Sequence, residues 1–173
     1  LSTDGGRTLS PVAEWKYDDG TSFYSPSSFH RMLRHSNGKL YWFGNICMTP
    51  PAGNSPRYPL IIAEVDEAKA ALKRHTVTAI DDRQPGQPDM ELSNFTLLEN
   101  RETHEIEMVL AGYGQNPDGA DSLKYTLTLL RTGKHKAGRV LSPWFIFNAD
   151  QDNLAMLRPN ANLIRSISVC GNP

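Results

Sequence analysis

Five histidines, two cysteines and a scatter of tryptophans and tyrosines are the side chains of this 173-residue chain best suited to chemistry. Their spacing rules much of it out. His30 and His35 are an odd number of positions apart, so on a strand they point to opposite faces and cannot grip one metal ion. His75, His104 and His135 fall in separate turns, and no metal site is expected. No glycine-rich loop follows a strand and opens a helix, so a nucleotide site has no phosphate cradle. No G-x-S-x-G elbow is present, and neither Cys47 nor Cys170 sits in a basic motif that would activate a thiolate. Two cysteines are too few for a disulfide framework, and their pairing is left open. No cofactor is expected. Trp15, Tyr17, Tyr24, Trp42 and Trp144 are able to stack on a sugar ring, although packing is the ordinary use of such residues.

Charge narrows the partners. Eighteen basic and nineteen acidic residues give a formal net charge of −1. No overall field draws the chain to nucleic acid or to an anionic membrane. No stretch approaches the roughly 18 consecutive apolar residues of a membrane helix. The basic cluster Arg131, Lys134, His135, Lys136 and Arg139 reads as a solvated turn. Asn94-Phe95-Thr96 matches a glycosylation acceptor pattern, but it lies at a strand start and is read as structure. The compartment is left open, with a secreted or periplasmic setting as the first expectation.

The elements that must position any site are short. Phe29–Ile46 carries two aromatic-rich runs around Ser36-Asn37-Gly38, a hairpin signal. Tyr58–Val65 reads as a buried strand, "DEAKAALKR" as a helical turn or two, and "HTVTAIDD" as a strand. Asn94–Gly114 repeats the strand, turn, strand pattern, and Ser122–Leu130 alternates strongly. "RVLSPWFIF" and "NLIRSISV" read as further strands. About ten short strands separated by turn signals point to an all-β fold, a sandwich, a barrel or a set of propeller blades. Residues 29–80 and 94–130 share one pattern of strand, turn, strand, longer loop, strand, which favours repeated blades.

The opening stretch, Ser2-Thr3-Asp4-Gly5-Gly6-Arg7-Thr8-Leu9, resembles the Asp-box of sialidases and related BNR-repeat propellers. Ser2, Asp4, Gly6 and Thr8 match, and Leu9 stands where the family has an aromatic. "FHRMLRHSNGKLYWFGN" is similar to the inner hairpin of a sialidase-like blade, and "SPRYPLIIAEVDE" to the next one. "ELSNFTLLENRETHEIEMVLAGYG" resembles the inner pair of the following blade. The resemblance implies a partial β-propeller domain over 1–173 with about three four-stranded antiparallel blades in an incomplete ring, a β-sandwich being the alternative. Its parts are the Asp-box turn at 2–9, blade-like segments at 15–80 and 91–130, and C-terminal strands within 139–170.

The same resemblance implies glycoside hydrolysis. Sialidases hold the substrate carboxylate with arginines, because a guanidinium offers paired, charge-assisted donors. Arg57 stands where the family places a substrate arginine, with Arg31 and Arg34 as further substrate-binding candidates. Tyr113 corresponds roughly to the nucleophilic tyrosine, an exception to the paired-carboxylate scheme, and Glu91 is the candidate catalytic acid group facing the cavity. The glutamate that the family places near Phe29–His30 is not found there, which leaves room for another sugar substrate or for binding without catalysis. The family's early-blade acid and first arginine motif are expected upstream of residue 1, on missing N-terminal blades, so the isolated chain is expected to be inactive. The partner implied is a carbohydrate. A non-catalytic carbohydrate-binding module and a structural interaction module are the alternatives.

Overall fold

A computed structural model describes residues 1–112, 121–129 and 163–170, excluding the side chains of 111–112, 121 and 163–170. Among the described residues the fold is all-β, with antiparallel sheets and a single three-residue 3₁₀ turn at Arg74–Thr76. No helix among them is long and apolar enough to cross a membrane.

The first sheet begins with the hairpin that Asn37-Gly38 announces. Strands β1 (Arg31–Arg34) and β2 (Leu40–Asn45) pair antiparallel, with Arg34 opposite Leu40 and Arg31 opposite Phe43. Gly38 takes φ +85°, a left-handed conformation that costs glycine nothing. The Asn37 side-chain oxygen accepts the Lys39 N–H at 3.0 Å and tightens the turn. β3 (Leu60–Asp66) lies against β2, and its other edge is shared by β5 (Thr78–Asp81) and the two-residue β4 (Ala71–Leu72). The second sheet runs β6 (Thr96–Glu99), β7 (Ile106–Gly112), β8 (Asp121–Leu129), β9 (Leu163–Cys170), each pairing with the next.

The described residues thus form two antiparallel sheets, of five and four strands, where about three four-stranded blades are expected from the family resemblance. Strands occur in the expected order within 29–80 and within the described part of 94–130, whose residues 113–120 and 130 lie outside the described residues. β9 realises one expected C-terminal strand, and "RVLSPWFIF" lies outside the described residues. "DEAKAALKR" is a correction: it forms a turn and β4 rather than helix. Leu72, fully buried, donates its N–H to Lys16 O at 3.0 Å and accepts from Asp18 N at 2.8 Å. That pairing, with Val65 opposite Leu72 on β3, outweighs the helix preference of the alanines and lysines.

Two apolar cores result. Phe43, Leu60, Ile62 and Ile80 of the first sheet pack with Ile106, Met108, Leu110, Leu123, Tyr125 and Leu127 of the second. Met90, Leu92 and Phe95, on the connection between the sheets, complete this layer. The opposite face of the first sheet buries Trp42, Ile61, Ala63 and Val65 under Tyr17, with Trp15 and Phe23 alongside. Each fully buried side chain of this size contributes about 1.5–3 kcal/mol. Gly44 is required for close approach rather than for its φ. A Cβ there would lie 2.5 Å from the Trp42 ring. At the hairpin end of the sheets, buried His35 accepts the Asn37 N–H on Nδ1 at 3.0 Å, so its Nε2 carries the proton donated to His104 O at 2.8 Å.

The Asp-box stretch folds as its chemistry demands. Asp4 accepts the Thr8 N–H at 3.0 Å, the Thr8 hydroxyl at 2.7 Å and the Ser2 hydroxyl at 2.8 Å, while Gly6 N–H donates to Ser2 Oγ at 2.7 Å. Its setting differs from the family pattern. No strand flanks the turn within residues 1–16, and Leu9 is 78% exposed where the family tucks an aromatic beneath. A leucine has no ring to lay under the turn, and no sheet is beside it to receive one.

Two outcomes follow from this packing. Gly44→Ala should lower stability by about 1–3 kcal/mol in urea unfolding, because Trp42 must leave its rotamer. The donors around Asp4, first the Thr8 N–H, then the Thr8 and Ser2 hydroxyls, hold its carboxyl at about 2 against an ordinary 3.8. Carbon-detected NMR titration should therefore find the turn intact above 3.8 and losing its bonds as pH falls through about 2. An Asp4 midpoint at the ordinary value would contradict the geometry.

Candidate functional site

β1, β3 and β6 begin at the end of the sheets where β2, β5 and β7 finish. The long connections 46–59 and 82–95 meet there. Both are rich in proline, which cannot join a strand ladder and keeps the chain in loops at this end. Arg57 lies just before β3, and Glu91 lies ahead of β6. The topology places them in contact. Glu91 Oε2 accepts the Arg57 side-chain Nε–H at 2.9 Å and the Arg57 backbone N–H at 3.0 Å. Leu92 N–H then donates to Arg57 O at 2.8 Å, so backbone and side chain both hold the two segments together.

A second guanidinium joins this pair. Arg83 donates from Nε and Nη2 to Met90 O, at 2.9 and 2.6 Å, and its Nη2 lies 3.6 Å from Glu91 Oε1. Its Cζ stacks 3.9 Å above the Tyr58 ring. The side chains of Arg57, Glu91 and Arg83 are 24%, 18% and 21% exposed, so their bonds are stronger than those of an open surface pair. One carboxylate between two guanidiniums leaves the cluster with a net positive charge. Among the described residues nothing bonds the terminal amino groups of Arg57, so its fork is open to an anion.

Below the pair sits a polar knot. Asn45, at the end of β2 and 2% exposed, donates from Nδ2 to Pro59 O at 3.1 Å and to Leu92 O at 3.0 Å. Its Oδ1 accepts the Ser28 hydroxyl at 3.4 Å, and Ser28 Oγ is 2.7 Å from Ser93 Oγ. On the β5 side, Tyr125 donates its hydroxyl to Asp81 Oδ2 at 2.7 Å. Burial, and then the neighbouring Asp81 charge against the Arg83 N–H, push the Asp82 carboxyl above its ordinary range.

The structure brings Arg57 and Glu91 together and treats the other candidates differently. Arg31 starts β1 at this same end, exposed, with Cζ 4.7 Å over the Phe29 ring. Arg34 is carried to the opposite end, where Nη1 donates to Glu67 Oε1 at 2.6 Å and its other amino group contacts Glu67 Oε2. That pairing raises the guanidinium and lowers the Glu67 carboxyl from their ordinary ranges. Arg31 and Arg34 occupy the two ends of the four-residue β1, so Arg34 does not reach the Arg57 cluster. Tyr113 lies outside the described residues. Trp15 and Trp42 meet edge to face at 6.1 Å inside the second core, and Tyr17 is buried there, so these three pack rather than form a platform. Tyr24 is half-exposed, and Trp144 lies outside the described residues. Cys47 is a buried free thiol, pushed up by burial and then by the Glu91 charge. Among the described residues no group of three or more histidines, cysteines and carboxylates is placed to hold a metal.

Arg83, Tyr58 and Asn45 were not legible as site residues. "DRQPGQPD" reads only as a loop, and its arginine has no periodic signal. Loops laid on a rigid scaffold are nevertheless where binding groups gather. Replacing Glu91 by alanine removes two charge-assisted bonds, and urea unfolding should show a loss of about 1.5–3 kcal/mol. Glu91→Gln, which keeps an acceptor oxygen, should lose less. Set beside known proteins, the chain matches no family model, no curated protein and no solved structure.

Proposed function

We propose that the chain is part of a sialidase-like β-propeller glycoside hydrolase, and that Arg57 grips the carboxylate of an acidic sugar at the shared strand ends. The observation that carries this reading is the state of Arg57. Its Nε and backbone N–H are both taken by Glu91, while its terminal amino groups are unbonded among the described residues. A guanidinium fixed at one edge and open at the other is oriented in advance for a planar carboxylate. Arg83 adds positive charge beside it without spending that open edge.

Three further features accord with blades. Two antiparallel sheets, of five and four strands, follow one another along the chain, and the second pairs its strands in sequence order. The Asp-box residues make the internal bonds of a closed turn. Arg57, Arg31 and Glu91 lie at one end of the sheets, which is where an arrangement of blades around an axis would open a cavity. In this reading Tyr113, the residue after β7, supplies the nucleophile, and Glu91 acts by orienting Arg57.

A second reading, binding without hydrolysis, is favoured by one observation. Glu91 Oε2 already accepts two bonds from Arg57, and Oε1 faces Arg83, so this carboxylate is committed to holding arginines rather than to moving a proton.

Titration calorimetry of the chain with N-acetylneuraminic acid and with galactose tests the shared claim. The acidic sugar should bind and galactose should not. Arg57→Ala should weaken acid-sugar binding by about ten- to hundredfold, the loss expected when a charge-assisted pair is removed. Equal binding by parent and variant would remove Arg57 from the site. A fluorogenic sialoside assayed with the full-length protein then separates the two readings: turnover abolished by Tyr113→Phe supports the hydrolase, and sugar binding with no turnover supports the binding module.

A further inference from the structure

Resting on the reading of Arg57 as the anion-binding residue, we infer that Asn45 is the positioning residue that sets the Arg57–Glu91 pair in register. The two partners arrive on separate connections, one leading into β3 of the first sheet and the other into β6 of the second. The connections tie themselves to each other at Arg57, through the Glu91 bonds and the Leu92 N–H bond to Arg57 O, and the offset needs a further support. Asn45 supplies it from below. Its single Nδ2 reaches Pro59 O, two residues after Arg57, and Leu92 O, one residue after Glu91.

The chemistry admits few substitutes. Two carbonyl oxygens face one buried atom, and a carbonyl only accepts, so that atom must be a nitrogen with two hydrogens to give. This assigns the amide orientation: Nδ2 toward the carbonyls and Oδ1 toward the Ser28 hydroxyl. Aspartate is isosteric but would set a charged acceptor against two acceptors. Serine offers one hydrogen and a shorter reach. The site of the amide matters as much as its type. Asn45 ends β2 with its Cα opposite Leu60, so the ladder fixes its backbone before the side chain acts. Ser28, from the segment that precedes β1, holds Oδ1, and Ser93, from the segment that precedes β6, meets the Ser28 hydroxyl in turn. Three chain segments therefore converge on one amide, and a direct bond from Leu92 N to Arg57 O joins two of them.

The inference differs from a purely structural role in what it moves. A structural amide would alter stability alone. A positioning amide would also alter the hydrogen bond between Arg57 Nε and Glu91 while the sheets stay folded. The readout is hydrogen exchange of the Arg57 Nε–H in the nitrogen-15-labelled chain, assigned by its loss in Arg57→Lys. In the parent this hydrogen is held by Glu91 and should exchange slowly. Asn45→Ala should speed its exchange by about tenfold or more and weaken N-acetylneuraminic acid binding in parallel. Ile106→Ala, a core deletion at the far end of β7, serves as the destabilised control and should change neither quantity.

Unchanged Arg57 exchange in a folded Asn45→Ala chain would overturn the inference, and so would an equal acceleration in Ile106→Ala. If the alanine variant does not fold, Ser28→Ala carries the test. It frees Oδ1 without stranding the two carbonyls, and it should speed Arg57 exchange by a smaller factor. No change there would also overturn the inference. A parent chain that binds no acidic sugar, yet whose Arg57 exchange depends on Asn45, would refute the proposed function and leave the positioning role standing.

Discussion

A β-sheet that is apolar on both faces must be covered twice, and this chain is organised around that obligation. In β3 the residues Leu60 and Ile62 point one way and Ile61, Ala63 and Val65 the other, all of them buried. β2 does the same with Phe43 and Trp42. The second sheet covers the first face. The irregular segment carrying Trp15, Tyr17 and Phe23 covers the second, and it is held by its bonds to Leu72. Covering one sheet with the next in sequence sends the 82–95 connection across the strand ends, where the 46–59 connection already lies. The Arg57–Glu91 contact is a consequence of that crossing.

Once the two connections share an end, their polar groups need partners. Proline-rich segments bring few N–H groups of their own and leave carbonyls exposed to each other. The solution here is to supply donors from side chains. Asn45 answers Pro59 O and Leu92 O, and Arg83 answers Met90 O. Glu91 then accepts from Arg57 backbone and side chain together. The cost of placing Glu91 out of bulk water is offset only because its oxygens meet N–H groups and positive charge. Arg57 is thus fixed on its Nε edge by the fold itself, with the rest of its guanidinium left over.

Local signals were legible where a strand or turn determines itself. The Asn37-Gly38 hairpin appears in the structure as read, the buried run read at Tyr58–Val65 forms β3 from Leu60 to Asp66, and the alternation read at Ser122–Leu130 forms β8 over Asp121–Leu129. The segment 66–74 reads as a helical turn or two because its alanines and lysines favour helix locally, while Leu72 is claimed by residues more than fifty positions earlier. Arg57 and Glu91 were legible as candidates only through the family resemblance. Their contact was not, since it depends on how two distant connections cross. Asn45 gave no signal at all. An asparagine at the end of an aromatic strand looks like a turn former, and only its burial shows otherwise.

Double coverage also bears on the choice between stacked blades and a two-layer sandwich. In a sandwich each sheet turns one face inward and leaves the other to water. The second sheet is consistent with that on its outer face, where Glu107 pairs with Lys124 and Val109 is 42% exposed. The first sheet is not, because Trp42, Ile61 and Val65 are buried on the face turned away from the second. A layer with apolar side chains on both sides belongs between neighbours, as a blade does within a propeller. The segment carrying Trp15, Tyr17 and Phe23 stands where such a neighbour would pack, and its aromatic side chains do the covering. What the burial shows is an antiparallel all-β fold whose first sheet is covered on both faces, by the second sheet and by the chain's own aromatic segment; a blade is the proposal with which that double coverage accords.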